Sequence, residues 1–154
     1  MKKNLFQTFG EFDSFAEINE TAEGLLMEGD LKGLRELAEE NGLEKEAEQY
    51  IKKETEELCG PVEAAIGKIR VECKGDNDPF YEDVMDYLMS NCDDLDFALA
   101  VRKKGKRVSE AADRIVKEAF KNTAWINGRH CNYCGPMRGY QLIREYYLKG
   151  DGRS

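Results

Sequence analysis

One histidine and two cysteines fall close together in His130-Cys131-Asn132-Tyr133-Cys134. Imidazole and thiolate are common zinc ligands, so His130, Cys131 and Cys134 could supply three of the four that a structural site needs. Cys59, Cys73 or Cys92 would then be a distant fourth. A single C-x-x-C without a second pair is a weak signal, and no βαβ pattern surrounds it to suggest a thioredoxin-like redox pair. Ordinary loop and core cysteines are the simpler reading, and neither a metal nor a cofactor is expected. His130 is the sole histidine. The chain has no phosphate-binding glycine-rich loop, no nucleophile elbow and no paired metal-binding carboxylate motif. The expectation is a protein that binds rather than catalyses.

The denser chemistry is cationic. Arg102-Lys103-Lys104-Gly105-Lys106-Arg107 places five cations in six residues around a glycine. It falls between two helical patterns, so a tight exposed turn is expected there. Arg114, Lys117 and Lys121 follow on the polar side of the next helix, about one turn apart. Cations so arranged suit phosphate contacts, which position a protein on nucleic acid without reading its sequence. A solvated turn complementing the preceding helix dipole would account for two or three of these eight, not for all.

The net charge of −8 over 154 residues conceals a strong asymmetry. Residues 1–96 hold 10 basic and 26 acidic side chains, a net −16, whereas residues 97–154 hold 13 basic and 5 acidic, a net +8. An acidic part and a basic, polyanion-facing part are implied, unless the two dock and neutralise each other. The length fits one domain or two very small ones. There is no apolar run long enough to cross a membrane and no apolar leader after Met1, so a cytoplasmic location and no membrane partner are expected. Five cysteines, an odd number in such a chain, are expected to be reduced thiols rather than a disulfide framework.

The elements that must position these groups are all helical. Ser14 and Glu17 form a capping-box pattern that opens a helix ending near Gly29. Asp30 can cap a second, with Leu31, Leu34, Leu37 and Ala38 on one face and Asn41-Gly42 as its stop. Leu43, Ala47, Tyr50 and Ile51 repeat the spacing in a third. Pro61 opens a fourth, whose buried stripe is Val62, Ala65, Ile66, Ile69 and Cys73. Lys74 to Asp78 reads as a loop and divides an acidic N-terminal region, 1–75, from a C-terminal region, 76–154. Beyond it, Asp78-Pro79 starts a helix bearing Phe80, Val84 and Leu88, and Asp93-Asp94 starts one bearing Leu95, Phe97, Ala98, Leu99 and Val101. Ser109 is the expected cap of a strongly amphipathic helix with Val108, Ala111, Ala112, Ile115, Val116, Ala119 and Phe120 inward. A loop from Asn122 to Gly135 follows, and Pro136 opens a last helix ending near Gly150. No strand alternation stands out. The fold expected is all-α, a compact protein of about seven to eight short helices with acidic N-terminal helices packed on a basic C-terminal region.

The glutamate runs Glu36/Glu39/Glu40, Glu44/Glu46/Glu48 and Glu54/Glu56/Glu57 lie on or beside helices as solvated faces. A dense negative face can also imitate nucleic acid and occupy a basic groove on another protein. Phe6, Phe9, Phe12 and Phe15 recur at every third residue and are expected to pack in the core rather than anchor a partner.

Three stretches, 97–106, 115–122 and 143–148, together resemble the PcfK-like family. They read Phe97-Ala98-Leu99-Ala100-Val101-Arg102-Lys103-Lys104-Gly105-Lys106, Ile115-Val116-Lys117-Glu118-Ala119-Phe120-Lys121-Asn122 and Ile143-Arg144-Glu145-Tyr146-Tyr147-Leu148. The stretches 12–19 and 37–42 are similar to proteins of the same mobile-element group. The chain departs from the family between Arg129 and Gly139, where its two cysteines lie. The resemblance implies an accessory role on conjugative plasmids or integrative elements of Gram-positive bacteria, not a known reaction. Two functions are therefore expected. One is a mobile-element accessory protein contacting nucleic acid through Arg102, Lys103, Lys104, Lys106, Arg107, Arg114, Lys117 and Lys121. The other is a mobile-element-encoded inhibitor of a host nuclease, of the anti-CRISPR kind, acting through the acidic half or the basic turn.

Overall fold

The computed structural model describes residues 5–126, 128–132 and 134–149, with residues 123–126 and 130–132 described by backbone alone. Eight helices account for most of them: α1 (Phe15–Met27), α2 (Leu31–Asn41), α3 (Glu44–Ile51), α4 (Pro61–Cys73), α5 (Pro79–Asn91), α6 (Leu95–Arg102), α7 (Val108–Lys121) and α8 (Pro136–Lys149). The protein is all-α, with one small exception. Residues expected to form a loop after α7 instead form an antiparallel hairpin, β1 (Thr123–Ile126) and β2 (Arg129–Asn132), with Ile126 paired to Arg129. In the sequence the two strands are separated by Asn-Gly, the dipeptide that a two-residue hairpin turn favours.

Local chemistry sets the helix starts. The side chains of Ser14, Asp30 and Asp94 accept the backbone N–H of the third residue on, and Asp78 accepts that of Phe80. The Glu63 carboxylate returns to the Gly60 N–H, so α4 is capped although glycine carries no side chain of its own. Among the described residues, no helix is long and apolar enough to cross a membrane.

Two apolar clusters form the core. Ile18, Leu34, Leu37, Ala38, Leu43, Ala47 and Tyr50 pack with Leu58, Cys59 and Ala64, while Phe9, Phe12 and Phe15 lie partly buried against them. The second cluster joins Ala65, Ile69 and Cys73 of α4 to Val84, Leu88, Phe97, Ala98, Val101, Val108, Ala111, Ile143, Tyr146 and Tyr147. Thus α4 has one foot in each cluster. Cys59, Cys73 and Cys92 are buried free thiols within them, and burial pushes Cys59 up to about 12 and Cys92 up to about 11.

The amphipathic stripe of α7 departs from expectation along its second half. Val108, Ala111 and Ala112 are buried and Ile115 is half-buried, but Val116 and Phe120 are 40% and 70% exposed. The buried part of the helix is the part packed with the second cluster, and its later turns run beyond that core.

The C-terminus of α2 meets the middle of α4 at two glycines. Gly42 has a φ of 69°, and a Cβ there would collide with the backbone of Gly67. A Cβ on Gly67 would collide in turn with the carbonyl oxygen of Asn41. Backbone therefore rests on backbone, which sets Asn41 beside the α6 terminus. The Gly67→Ala variant is expected to lose about 1–3 kcal/mol by overpacking. Gly24→Ala, in open space on α1, should instead gain about 0.5–1 kcal/mol. Urea titrations of the two variants beside the wild type check both signs.

Candidate functional site

The α6–α7 turn is built from below by two residues of α4. Lys68 and Glu72 lie one helical turn apart, with side chains 0% and 5% exposed. Lys68 Nζ donates to the carbonyls of Val101 at 3.1 Å and Lys103 at 2.8 Å, satisfying the end of α6. Glu72 Oε1 accepts the Val108 N–H at 2.6 Å and so caps the start of α7. This corrects the expectation for Ser109: the helix begins one residue before it, and its cap comes from another helix. Ammonium and carboxylate are themselves 3.8 Å apart. Burial works against both charges, pulling Lys68 down to about 8 and pushing Glu72 up, while each partner opposes the other's shift.

From the other side the turn is covered by residues 5–14, a strap without helix or strand. Glu11 accepts from Arg107 Nη1 at 2.7 Å and Nη2 at 2.8 Å, from the Gly105 N–H at 2.9 Å, and lies 3.4 Å from Lys68 Nζ. Asp13 Oδ1 accepts the Lys104 N–H at 3.0 Å, and its Oδ2 is 4.0 Å from Lys103 Nζ. Further up the strap, the Thr8 and Phe9 N–H groups bond the Glu40 carboxylate. Phe6 is buried, with the guanidinium carbons of Arg102 and Arg107 each 5.5 Å from its ring centre. Burial acts to raise the Glu11 carboxyl. The Arg107 bonds, the Gly105 N–H and the charge of Lys68 outweigh it and hold the group at about 2.

The eight cations singled out in the sequence have very different surroundings. Arg102 is a correction to the exposed turn: it is 1% exposed, donating from Nε to the Phe12 carbonyl and from Nη2 to Asn41 Oδ1. Its Nη1 has no hydrogen-bond partner among the described residues. Arg107 is held by Glu11. Lys106 Nζ donates to the Tyr146 carbonyl at 2.8 Å and sits over the Tyr146 ring, as does the Arg114 guanidinium. Lys117 pairs with Asp113 at 3.0 Å but stays 73% exposed in its side chain. Lys103, Lys104 and Lys121 are exposed. The turn thus brings together Lys103, Lys104 and Gly105 at the surface above Arg107 and Lys68, while Lys117 and Lys121 lie farther along α7.

Sequence reasoning missed Lys68, Glu72 and Glu11. The i,i+4 spacing of Lys68 and Glu72 on the inward side of α4 was a readable signal for the first two; nothing local marks Glu11. Of the cysteine–histidine group, His130 and Cys131 lie on β2 with side chains outside the described residues, and Cys134 is half-buried. No group of three or more His, Cys, Asp or Glu among the described residues is placed to hold a metal ion. No protein-family model, curated protein or solved structure matches the chain.

The Glu11 contacts make stability depend on pH. Its carboxyl is held near 2 in the folded protein against an ordinary 4.5, so the stabilisation is complete above about 4.5. It is lost as pH falls from there towards 2. Thermal melts across this range should show the decline in the wild type, and Glu11→Gln should flatten it. At neutral pH the same variant is expected to lose about 2 kcal/mol, the order of a charge-assisted hydrogen bond removed from a partly buried site.

Proposed function

We propose that this chain is a binding protein rather than an enzyme, an accessory of a mobile genetic element that contacts nucleic-acid phosphates through the α6–α7 turn and the outer face of α7. The observation that carries this reading is the geometry of the turn. Its Lys104 and Gly105 N–H groups, with the Arg107 guanidinium, already converge on carboxylate oxygens, which is how backbone and arginine donors receive phosphate oxygens. Lys103 and Lys104 stand exposed at the mouth of this cradle, and Lys117 and Lys121 continue the positive charge along α7. The resemblance of residues 97–106 and 115–122 to PcfK-like proteins supports the mobile-element setting.

A second reading, a mobile-element-encoded inhibitor of a host nuclease, is favoured by a separate observation. Glu36, Glu39, Glu44, Glu54, Glu56 and Glu57 are exposed on the part of the chain that surrounds the first core cluster. A negative surface of this kind could occupy a nucleic-acid groove on another protein.

Charge reversal separates the two. Lys103→Glu, Lys104→Glu, Lys117→Glu and Lys121→Glu together alter exposed side chains and leave Arg102, Arg107 and Lys68 in place. On the first reading this variant should bind duplex or single-stranded DNA or RNA at least about thirtyfold more weakly than the wild type. Its plot of log affinity against log salt should be shallower by about one unit for each phosphate that is no longer neutralised. Neutralising the six glutamates should then leave binding unimpaired. If no nucleic acid binds in a salt-sensitive way, the first reading fails. If neutralising the glutamates also abolishes capture of a host nuclease, the second reading takes its place.

A further inference from the structure

The cradle on the α6–α7 turn is not empty: it holds Glu11. Four donors surround that one carboxylate, namely both terminal nitrogens of Arg107, the Gly105 N–H and the Lys68 ammonium. Asp13 takes the adjacent Lys104 N–H. Two acidic groups spaced two residues apart on an extended strap therefore lie on successive backbone N–H groups of the turn, as successive anionic groups of a ligand would. Gly105 has a φ of 88°, and among the described residues no atom beyond its chain neighbours lies within 4 Å of the point where its Cβ would be, so the turn is open to approach above the glycine.

Lys68, Arg102 and Arg107 bring three cations together under the turn, and Glu11 and Glu72 are the carboxylates that face them. One positive charge is in excess, and Nη1 of the buried Arg102 has no hydrogen-bond partner among the described residues. A backbone phosphodiester presents two unesterified oxygens and one negative charge, as the carboxylate now in place does, and so can take the same donors.

The strap has anchored and exposed parts: Phe6 is buried, Phe9 and Phe12 pack against the first cluster and Arg102 donates to the Phe12 carbonyl, whereas its remaining ties lie nearer the surface. Phe6 sits in the left-handed region at a φ of 57°, a conformation that costs about 1 kcal/mol or more for a non-glycine residue. The Thr8 and Phe9 N–H groups bond the Glu40 carboxylate, and Asp13 lies at the surface with its side chain 47% exposed. We infer that residues 5–14 are an internal competitor for the phosphate site: Glu11 and Asp13 occupy the positions that nucleic-acid phosphates take on the α6–α7 turn, and binding displaces the strap. The inference rests on the nucleic-acid reading above and adds its regulation. A site of which only the strap-released fraction is competent binds with an affinity reduced by that fraction, so weakening the strap strengthens binding.

The test is fluorescence anisotropy with labelled single-stranded and duplex oligonucleotides at fixed low salt. The proteins are the full-length wild type, Asp13→Asn and Glu11→Gln/Asp13→Asn. Glu82→Gln/Asp83→Asn removes the same charge from the exposed side of α5 and serves as the electrostatic control. Affinity should rise for Asp13→Asn and rise by about tenfold or more for the double strap variant. The control should change by less than about threefold, the general effect of surface charge. In the wild type, saturating oligonucleotide should also speed hydrogen exchange at the Thr8 and Phe9 amides, because their Glu40 bonds open with the strap. If the double strap variant does not hold its helical circular dichroism, Asp13→Asn and the exchange measurement decide alone. Unchanged or weaker binding by folded strap variants, or equal gains in the control, overturns the competition and leaves the nucleic-acid reading standing. Absence of binding by every protein in the set overturns both.

Discussion

An ammonium and a carboxylate buried side by side on α4 hold this molecule together where its two core clusters meet. A charge taken out of water is tolerated only when its hydrogen-bonding capacity is met, and removing one partner of such a pair is strongly destabilising. Lys68 meets the requirement with the two carbonyls that end α6, and Glu72 with the N–H that begins α7. The pair therefore dictates where one helix stops and the next starts. Other features follow from keeping water away from it. Gly42 and Gly67 let α2 approach α4 at backbone distance, Asn41 turns towards Arg102, and the strap closes the remaining side with Glu11.

The same arrangement changes the meaning of the charge asymmetry. Viewed along the chain, an acidic half precedes a basic one. In three dimensions the most basic segment is partly neutralised by carboxylates that arrive from the acidic half: Glu11 and Asp13 from the strap, Glu72 from α4. What remains outward on the turn and along α7 is mainly a short set of lysines, whereas the glutamates around the first cluster stay in solvent. Fields from exposed groups are screened within about 10 Å at moderate salt, while the buried set is screened far less. The protein thus has a rigid ionic interior under the turn and a softer, salt-sensitive exterior above it.

The helices were legible because their signals are local. Ser14, Asp30, Asp78 and Asp94 cap the helices they precede, Pro61, Pro79 and Pro136 stand at first positions, and the apolar spacing of α2, α3 and α5 marks their inward faces. The Asn-Gly hairpin was equally local, but it lies in a stretch without alternating apolar residues and so gave no strand pattern. Periodicity misled at the end of α7, since a helix can be amphipathic over more turns than its core covers, and Val116 and Phe120 lie outside it. The site itself was half legible. Five cations in six residues identified the turn, but only packing decides that Arg102 is interior and Lys103 is not. Glu11 could not be paired with Arg107 from spacing, because the two are separated by 96 positions.

That separation has a consequence for how the molecule is made. Contacts within α1–α3 join near neighbours and can form as soon as those segments exist, whereas contacts of high sequence separation must first close a long loop and are slow to form. Residues 5–14 leave the ribosome well before α6 and α7, on which they rest. Phe6 and Glu11 must wait for partners some ninety positions away before they reach their final place. A segment synthesised before its partners thus docks only after they have emerged.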